Sequence, residues 1–217
     1  MIAACPDPGC RETFDVAEAL GWRRVACPAC GAAGPAVPVE VRRRLADRNR
    51  SAELPAALTG GVVAVLEDLR SVHNVGSIIR TCDALGVGLV VMVGLTPTPE
   101  HPRLAKTALG AERVVPWVWR PDALSALREL HERGMRIVAL EDSPSAVPLA
   151  DACIDPPVAL VIGNEVAGIS SPVLDAADRH LVIPMRGIKT SMNVAVAFGI
   201  AAYAIRVGID DGAEGRS

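Results

Sequence analysis

Aromatic side chains are nearly missing from this chain: two Phe, one Tyr and three Trp amount to 3% of its residues. That scarcity disfavours a protein that holds single-stranded nucleic acid mainly by stacking bases on side chains. A strong charge of either sign is lacking too, since the net charge of -3 offers phosphate no global attraction. Long apolar runs are absent; the longest, Val194 to Ile205, falls well short of the roughly 20 residues needed to span a bilayer. Cys5, Asp7 and Cys10 precede any apolar stretch of useful length, so a secretory signal is not expected and a cytoplasmic location is. No Gly-x-Gly-x-x-Gly follows the first β-branched run, and no Gly-rich phosphate loop ending in Gly-Lys-Ser/Thr occurs. Ordinary nicotinamide-dependent dehydrogenation and nucleotide hydrolysis lose most of their support.

What is present begins with cysteine. Among 217 residues, half of them hydrophobic, there is room for one catalytic-size domain and a small appendage. Cys5 and Cys10, then Cys27 and Cys30, make a Cys-x4-Cys, x16, Cys-x2-Cys pattern. In a reducing compartment such spacing points to tetrahedral zinc rather than disulfides, and Cys27-Pro-Ala-Cys30-Gly31 reads as a zinc knuckle. A segment this small can hardly bury a core of its own, so the metal would supply its folding energy. Cys82 and Cys153 lie in apolar contexts and read as small core residues.

The expected organisation is a zinc-ribbon-like module over 1–36, a linker with a basic helix over 37–60, a main domain over 61–210 and a flexible tail over 211–217. Residues 1–50 carry eight Arg against six Asp and Glu, with the excess in Arg42, Arg43, Arg44, Arg48 and Arg50. Those five fit either a solvated connecting helix or an arm that contacts RNA.

From Gly61 onward, β-branched runs alternate with helical patterns. Val62–Leu66, Gly88–Val93, Arg136–Leu140, Val158–Ile162 and His180–Ile183 read as buried strands. Val75–Leu85, Asp122–Arg133, Pro172–Ala177 and Val194–Arg206 read as helices. The alternation implies an α/β fold with a mostly parallel sheet covered on both faces.

Three polar clusters fall at predicted strand ends, where open α/β sheets bind ligands. The first holds Asn74, read as a helix cap, and Arg80. Six helical residues separate the two, so they do not share a face by simple periodicity. The second runs from Gly163 through Glu165 to Gly168, with glycines that let backbone approach a ligand. The third, Ile183-Pro-Met-Arg-Gly-Ile-Lys-Thr-Ser-Met-Asn193, places Ser191 as a cap before the last apolar helix and Asn193 beside it.

Taken together, and in this order and spacing, the three clusters resemble the SpoU/TrmH family of RNA ribose 2'-O-methyltransferases, of the SPOUT class, over about residues 60 to 207. The stretch Ala105-Lys-Thr-Ala-Leu-Gly-Ala-Glu112 resembles that family's connecting region. The resemblance implies a C-terminal deep trefoil knot, a homodimer whose active site is completed across the interface, and S-adenosylmethionine held by Gly163, Ile183, Met192, Leu140 and Gly168. It implies that Arg80, Asn74, Glu165, Ser191 and Asn193 form the catalytic set on a tRNA or rRNA substrate. Ala195 departs from the family, which often has Ser there, and Met192 stands where Leu is common. An alternative of another class is a knotted RNA-binding protein without catalysis.

Overall fold

The computed structural model describes residues 1–7, 9–10, 12–16, 24–39, 54–55, 58 and 61–214, with side chains described as far as residue 208. The basic cluster Arg42, Arg43, Arg44, Arg48 and Arg50 lies outside the described residues.

Two hairpins open the chain. Strands β1 (Ile2–Ala4) and β2 (Thr13–Asp15) pair antiparallel, and β5 (Val37–Pro38) joins the other side of β1. A second antiparallel pair consists of β3 (Arg24–Ala26) and β4 (Ala33–Pro35). Strand pairing thus carries the module through Pro38, into the stretch expected to be linker. Among its described residues, Ala3, Val16 and Ala36 form a small buried cluster with Met1, Phe14 and Val25 packed against it, and Val37, Cys5 and Cys27 are buried as well.

The main body is a seven-stranded sheet. Its strands are β6 (Val62–Glu67), β7 (Leu89–Val93), β8 (Trp117–Arg120), β9 (Arg136–Leu140), β10 (Val147–Pro148), β11 (Val158–Ile162) and β12 (Arg179–Val182). They lie in the order β10-β12-β9-β11-β6-β7-β8, and every neighbouring pair is parallel. A parallel sheet must be covered on both faces, and the strands are apolar on both. In β6, Val62, Ala64 and Leu66 enter one core while Val63 and Val65 enter the other; β11 repeats this with Val158, Leu160 and Ile162 against Ala159 and Val161. That two-sided burial is why the runs read as continuous rather than alternating.

Helices α1 (Val72–Ala84) and α5 (Val194–Glu214) cover the first face, and α3 (Ala123–His131) and α4 (Ser171–Asp175) the second. A short helix, α2 (Ala105–Ala108), packs on α1 so closely that a Cβ at Gly76 would meet the Thr107 side chain at 1.9 Å. Among the described residues no helix is long and apolar enough to cross a membrane.

Candidate active site

Four neighbouring strands, β12, β9, β11 and β6, end along one edge, and the loops leaving them build the site. A cleft of about 840 Å³ opens there, lined among others by Asn74, Leu140, Gly163, Glu165, Gly168, Ile183, Ser191, Met192 and Asn193. All five predicted cofactor residues and four of the five predicted catalytic residues therefore meet in one place. Arg80 does not line it. It is exposed on α1 and has no hydrogen-bond or ion-pair partner among the described residues.

A chain of hydrogen bonds ties the three clusters together. Asn74 Nδ2 donates to Glu165 Oε1 at 3.0 Å, and Asn193 Nδ2 donates to Asn74 Oδ1 at 3.1 Å. Glu165 also accepts the backbone N–H groups of Arg70 (Oε2, 3.0 Å) and Ser71 (Oε1, 3.0 Å). Asn193 in turn accepts the N–H of Ala195 at 2.9 Å and of Val196 at 3.3 Å. Each side chain in the chain fixes the orientation of the next, because an amide presents a donor and an acceptor on opposite atoms.

Two capping assignments are corrected by this geometry. Asn193, not Ser191, caps α5, since its oxygen takes the N–H groups of the second and third helical residues. Ser71, not Asn74, caps α1, accepting the Asn74 N–H at 3.2 Å. Asn74 is the third residue of the helix, 8% exposed, which frees its side chain to bridge the other two clusters. Glu165 turns toward that bridge and the loop after β6 rather than toward Arg80.

The glycines of the second cluster serve the chain's own backbone before any ligand. A Cβ at Gly163 would lie 2.3 Å from the carbonyl carbon of Gly168 and from the amide nitrogen of Ile169. Gly168 has φ +70, and a Cβ there would meet Glu141 Oε2 at 2.5 Å. Asn164 closes the turn: its Oδ1 accepts Val166 and Ala167 N–H at 3.0 Å each, and its Nδ2 donates to the Asp68 carbonyl at 2.7 Å. Glu141, at the end of β9, takes the Ile169 N–H at 2.8 Å. Sequence reasoning passed over Ser71, Glu141 and Asn164. An Asn at a strand end before a tight turn is the signal that would have found the last of these.

The cleft suits a flat, partly apolar molecule that carries positive charge. Leu140, Ile162, Leu181, Ile183, Met192 and Val194 supply apolar walls, while Glu141, Asp142 and Glu165 supply carboxylates. That lining matches S-adenosylmethionine, whose adenine needs apolar contact and whose sulfonium and ammonium groups are cations. Ala195, the departure from the family, packs against the core cluster, where an apolar side chain is well placed.

At the other end of the chain, the sulfurs of Cys5, Cys10, Cys27 and Cys30 all lie within 4.8 Å of one another. Cys5 and Cys30 Sγ are 3.5 Å apart, and Cys10 and Cys27 Sγ 3.9 Å. Disulfide sulfurs would be about 2.05 Å apart, whereas a tetrahedral zinc with bonds of about 2.3 Å spaces its sulfurs at about 3.8 Å. The group therefore fits zinc. Burial raises the Cys5 thiol pKa. At Cys27 burial acts the same way, but backbone N–H groups of Cys30 and Ala29 and neighbouring thiols outweigh it and lower the pKa to about 7. Backbone N–H groups aimed at sulfur are what a zinc knuckle provides for thiolate. Cys82 is buried as expected, whereas Cys153 is exposed.

A parallel α/β body with its cleft at the strand ends and a cofactor-sized, acid-edged pocket defines the class as a nucleotide-cofactor-binding α/β protein. The chain belongs to the SpoU rRNA Methylase family, whose model matches residues 61–203. It is 33% identical over 146 residues to the tRNA (guanosine(18)-2'-O)-methyltransferase of Aquifex aeolicus, covering 65% of this chain and 67% of that one. It is 31% identical over 210 residues to the 23S rRNA (guanosine-2'-O-)-methyltransferase RlmB of Nitrosomonas europaea, covering 91% and 78%. A putative TrmH family tRNA/rRNA methyltransferase of Staphylococcus haemolyticus is 36% identical over 148 residues, but the match spans only 57% of its length. Among solved structures, the Aquifex aeolicus TrmH/SpoU tRNA modifying enzyme superposes with a TM-score of 0.64 at 26% identity, over 80% of this chain and 83% of that one. The AdoMet-bound rRNA methyltransferase of Sinorhizobium meliloti gives a TM-score of 0.64 at 25% identity, over 81% and 62%.

Proposed function

We propose that this chain transfers a methyl group from S-adenosylmethionine to a ribose 2'-hydroxyl of tRNA or rRNA. The observation that carries the reading is the hydrogen-bonded chain Glu165–Asn74–Asn193 at the mouth of the cleft, in a member of a methylase family. S-adenosylmethionine would supply an activated methyl on a sulfonium that leaves readily. What the protein must add is orientation of the hydroxyl and a route for its proton.

Asn74 and Asn193 are assigned to hold the ribose, each already fixed by the other. Glu165 is assigned as a positioning residue rather than the base, because three N–H groups occupy its oxygens and a proton there would loosen all three. Ser191, exposed on the cleft wall and released from capping, faces the substrate side. Arg80 is assigned as a clamp on an RNA phosphate or on the 2'-oxygen, since a guanidinium with a pKa above about 12 is a poor base at neutral pH. The hydroxyl proton then goes to an RNA phosphate oxygen.

Because Arg80 stands outside its own cleft, the reading includes a homodimer in which the second copy supplies it. Val196, Ile200, Tyr203 and Val207 form an exposed apolar stripe along one face of α5. Arg80 adjoins that helix through Thr81, whose methyl lies 3.8 Å from where Gly199 would carry a Cβ. The trefoil knot belongs to the same proposal. It is supported by the chain leaving β12 beyond β9 and returning as α5 against α1 and β11. Zinc in the four-cysteine site, RNA contact by the Arg42–Arg50 segment and a cytoplasmic location complete it.

Two measurements test the reading. Calorimetric titration with S-adenosylmethionine should show binding, and incubation with methyl-labelled cofactor and total RNA should label a ribose 2'-oxygen. A chain that binds RNA but gives no heat with S-adenosylmethionine would be the non-catalytic alternative.

A further inference from the structure

The zinc module touches the body at one place that matters for the cleft. From β3, three residues before Cys27, Arg24 Nη1 donates to two carbonyls of the Gly163–Ser170 loop, that of Ala167 at 2.8 Å and that of Ile169 at 2.5 Å. Around this bond the surfaces fit closely. Ala33 N donates to Ser171 Oγ at 2.7 Å, and a Cβ at Gly34 would lie 2.9 Å from Pro6 Cβ and 3.0 Å from Ser170 Cβ. The same loop carries Gly163, Glu165, Val166 and Gly168 on the cleft wall. The loop therefore meets the module through its Ala167 and Ile169 carbonyls and the cleft through these four residues.

We infer that Arg24 is a positioning residue for cofactor binding, pinning the outer edge of the Gly163–Ser170 loop so that its inner edge keeps the shape the cofactor requires. One guanidinium nitrogen with two hydrogens serves two carbonyls two residues apart, which fixes the loop's path rather than a single atom. Charged donors make stronger hydrogen bonds than neutral ones, and these carbonyls have no helix or sheet partner of their own among the described residues. Elsewhere the loop is tied by the Asn164–Gly168 backbone pair, by Ile169 N to Glu141 and by Ser170 N to Glu67 at 3.0 Å, and none of these bonds uses the Ala167 or Ile169 carbonyl. The module is thereby a structural part of the cleft wall as well as an appendage.

This inference rests on the assignment of the cleft to S-adenosylmethionine, so the test reads the loop and the ligand separately. Hydrogen exchange at residues 164–170 and calorimetric affinity for S-adenosylmethionine are measured on the full chain and on Arg24→Ala, with zinc content recorded. Arg24→Ala should speed exchange in that loop and weaken cofactor affinity about tenfold at unchanged zinc content, and Arg24→Lys should recover most of the affinity. If Arg24→Ala loses its zinc, Ser171→Ala, which loosens the docking from the body side, should give the same pattern at about threefold. Unchanged exchange, or faster exchange with unchanged affinity, would overturn the inference. A native chain that binds no S-adenosylmethionine would instead overturn the cleft assignment, with the exchange result still deciding whether Arg24 pins the loop.

Discussion

The two parts of this chain hold themselves together by different means. The body buries whole strands on both sides, and each fully buried Val, Leu or Ile contributes roughly 1.5–3 kcal/mol. Among its described residues the module buries Ala3, Val16, Ala36 and Val37 beside Cys5 and Cys27, of which only the two valines are aliphatic side chains larger than alanine, against an ordering cost of roughly 1–2 kcal/mol for every residue it fixes. Apolar burial carries the first and cannot carry the second. What remains for the module is the sulfur cluster, placed at the turns of its two hairpins where one metal ion would close both loops.

The sharpest way to break that contrast is to remove the metal. Structural zinc is worth on the order of 10 kcal/mol to small zinc domains near neutral pH, far more than this module's core. Chelation, or Cys27→Ser, should therefore unfold the module while the body keeps a cooperative thermal transition; hydrogen exchange resolved along the chain would register both. Acid should do the same, because zinc binds thiolate and protons compete for it as pH falls. A module that stays protected without metal would show that its hairpins suffice.

Next in size is an effect confined to chemistry. Arg80 is exposed and without a partner among the described residues, so Arg80→Ala should change stability by less than about 0.5 kcal/mol. Its methyl transfer should nonetheless fall at least about a hundredfold, or about 2.7 kcal/mol in the barrier. Near-native kcat at saturating RNA would end the clamp assignment.

How much of this was legible in the sequence differs between the two regions for physical reasons. Buried parallel strands announce themselves as β-branched runs, so the sequence pattern marks β6, β7, β9, β11 and β12 to within about a residue. The edge strands leave no such mark. Trp117-Val-Trp-Arg120 lies between Pro116 and Pro121 and ends in an Arg paired with Glu129 at 2.9 Å, which reads as loop. Val147–Pro148 is two residues long and contains a proline. In the site, the residue types were legible from the motifs, but the partners were not. That Asn74 meets Glu165 and Asn193 depends on strands distant in sequence lying side by side, and strand order leaves no local periodic trace. The caps are ambiguous for the same reason: both Ser191 and Asn193 suit a cap, and only the path of the chain decides which one turns inward.

Gly163→Ala tests the loop shared by the two regions. The added methyl would fall 2.3 Å from backbone at Gly168 and Ile169, and no side chain there can give way. Overpacking of this kind costs about 1–3 kcal/mol, and the loop should shift into the cleft. Cofactor affinity should fall at least tenfold by calorimetry, with the module's zinc retained. Retained affinity would mean that the loop's exact path matters little, and would weaken the case for any device that holds it from outside.

The smallest effect separates two neighbouring residues that sequence alone treats alike. Asn193→Ala removes the cap of α5 and one partner of Asn74, which should cost about 1 kcal/mol for the cap and lower methyl transfer as the bridge to Glu165 loosens. Ser191→Ala removes no hydrogen bond among those of the described residues and should leave thermal stability within about 0.5 kcal/mol of the parent. If Ser191 instead contacts the ribose, its loss should appear as a raised KM for RNA with an unchanged melting temperature. Equal destabilisation by both substitutions would mean that the cap alternates between them, and that the Asn74–Asn193 bond is not the fixed link on which the arrangement of the site depends.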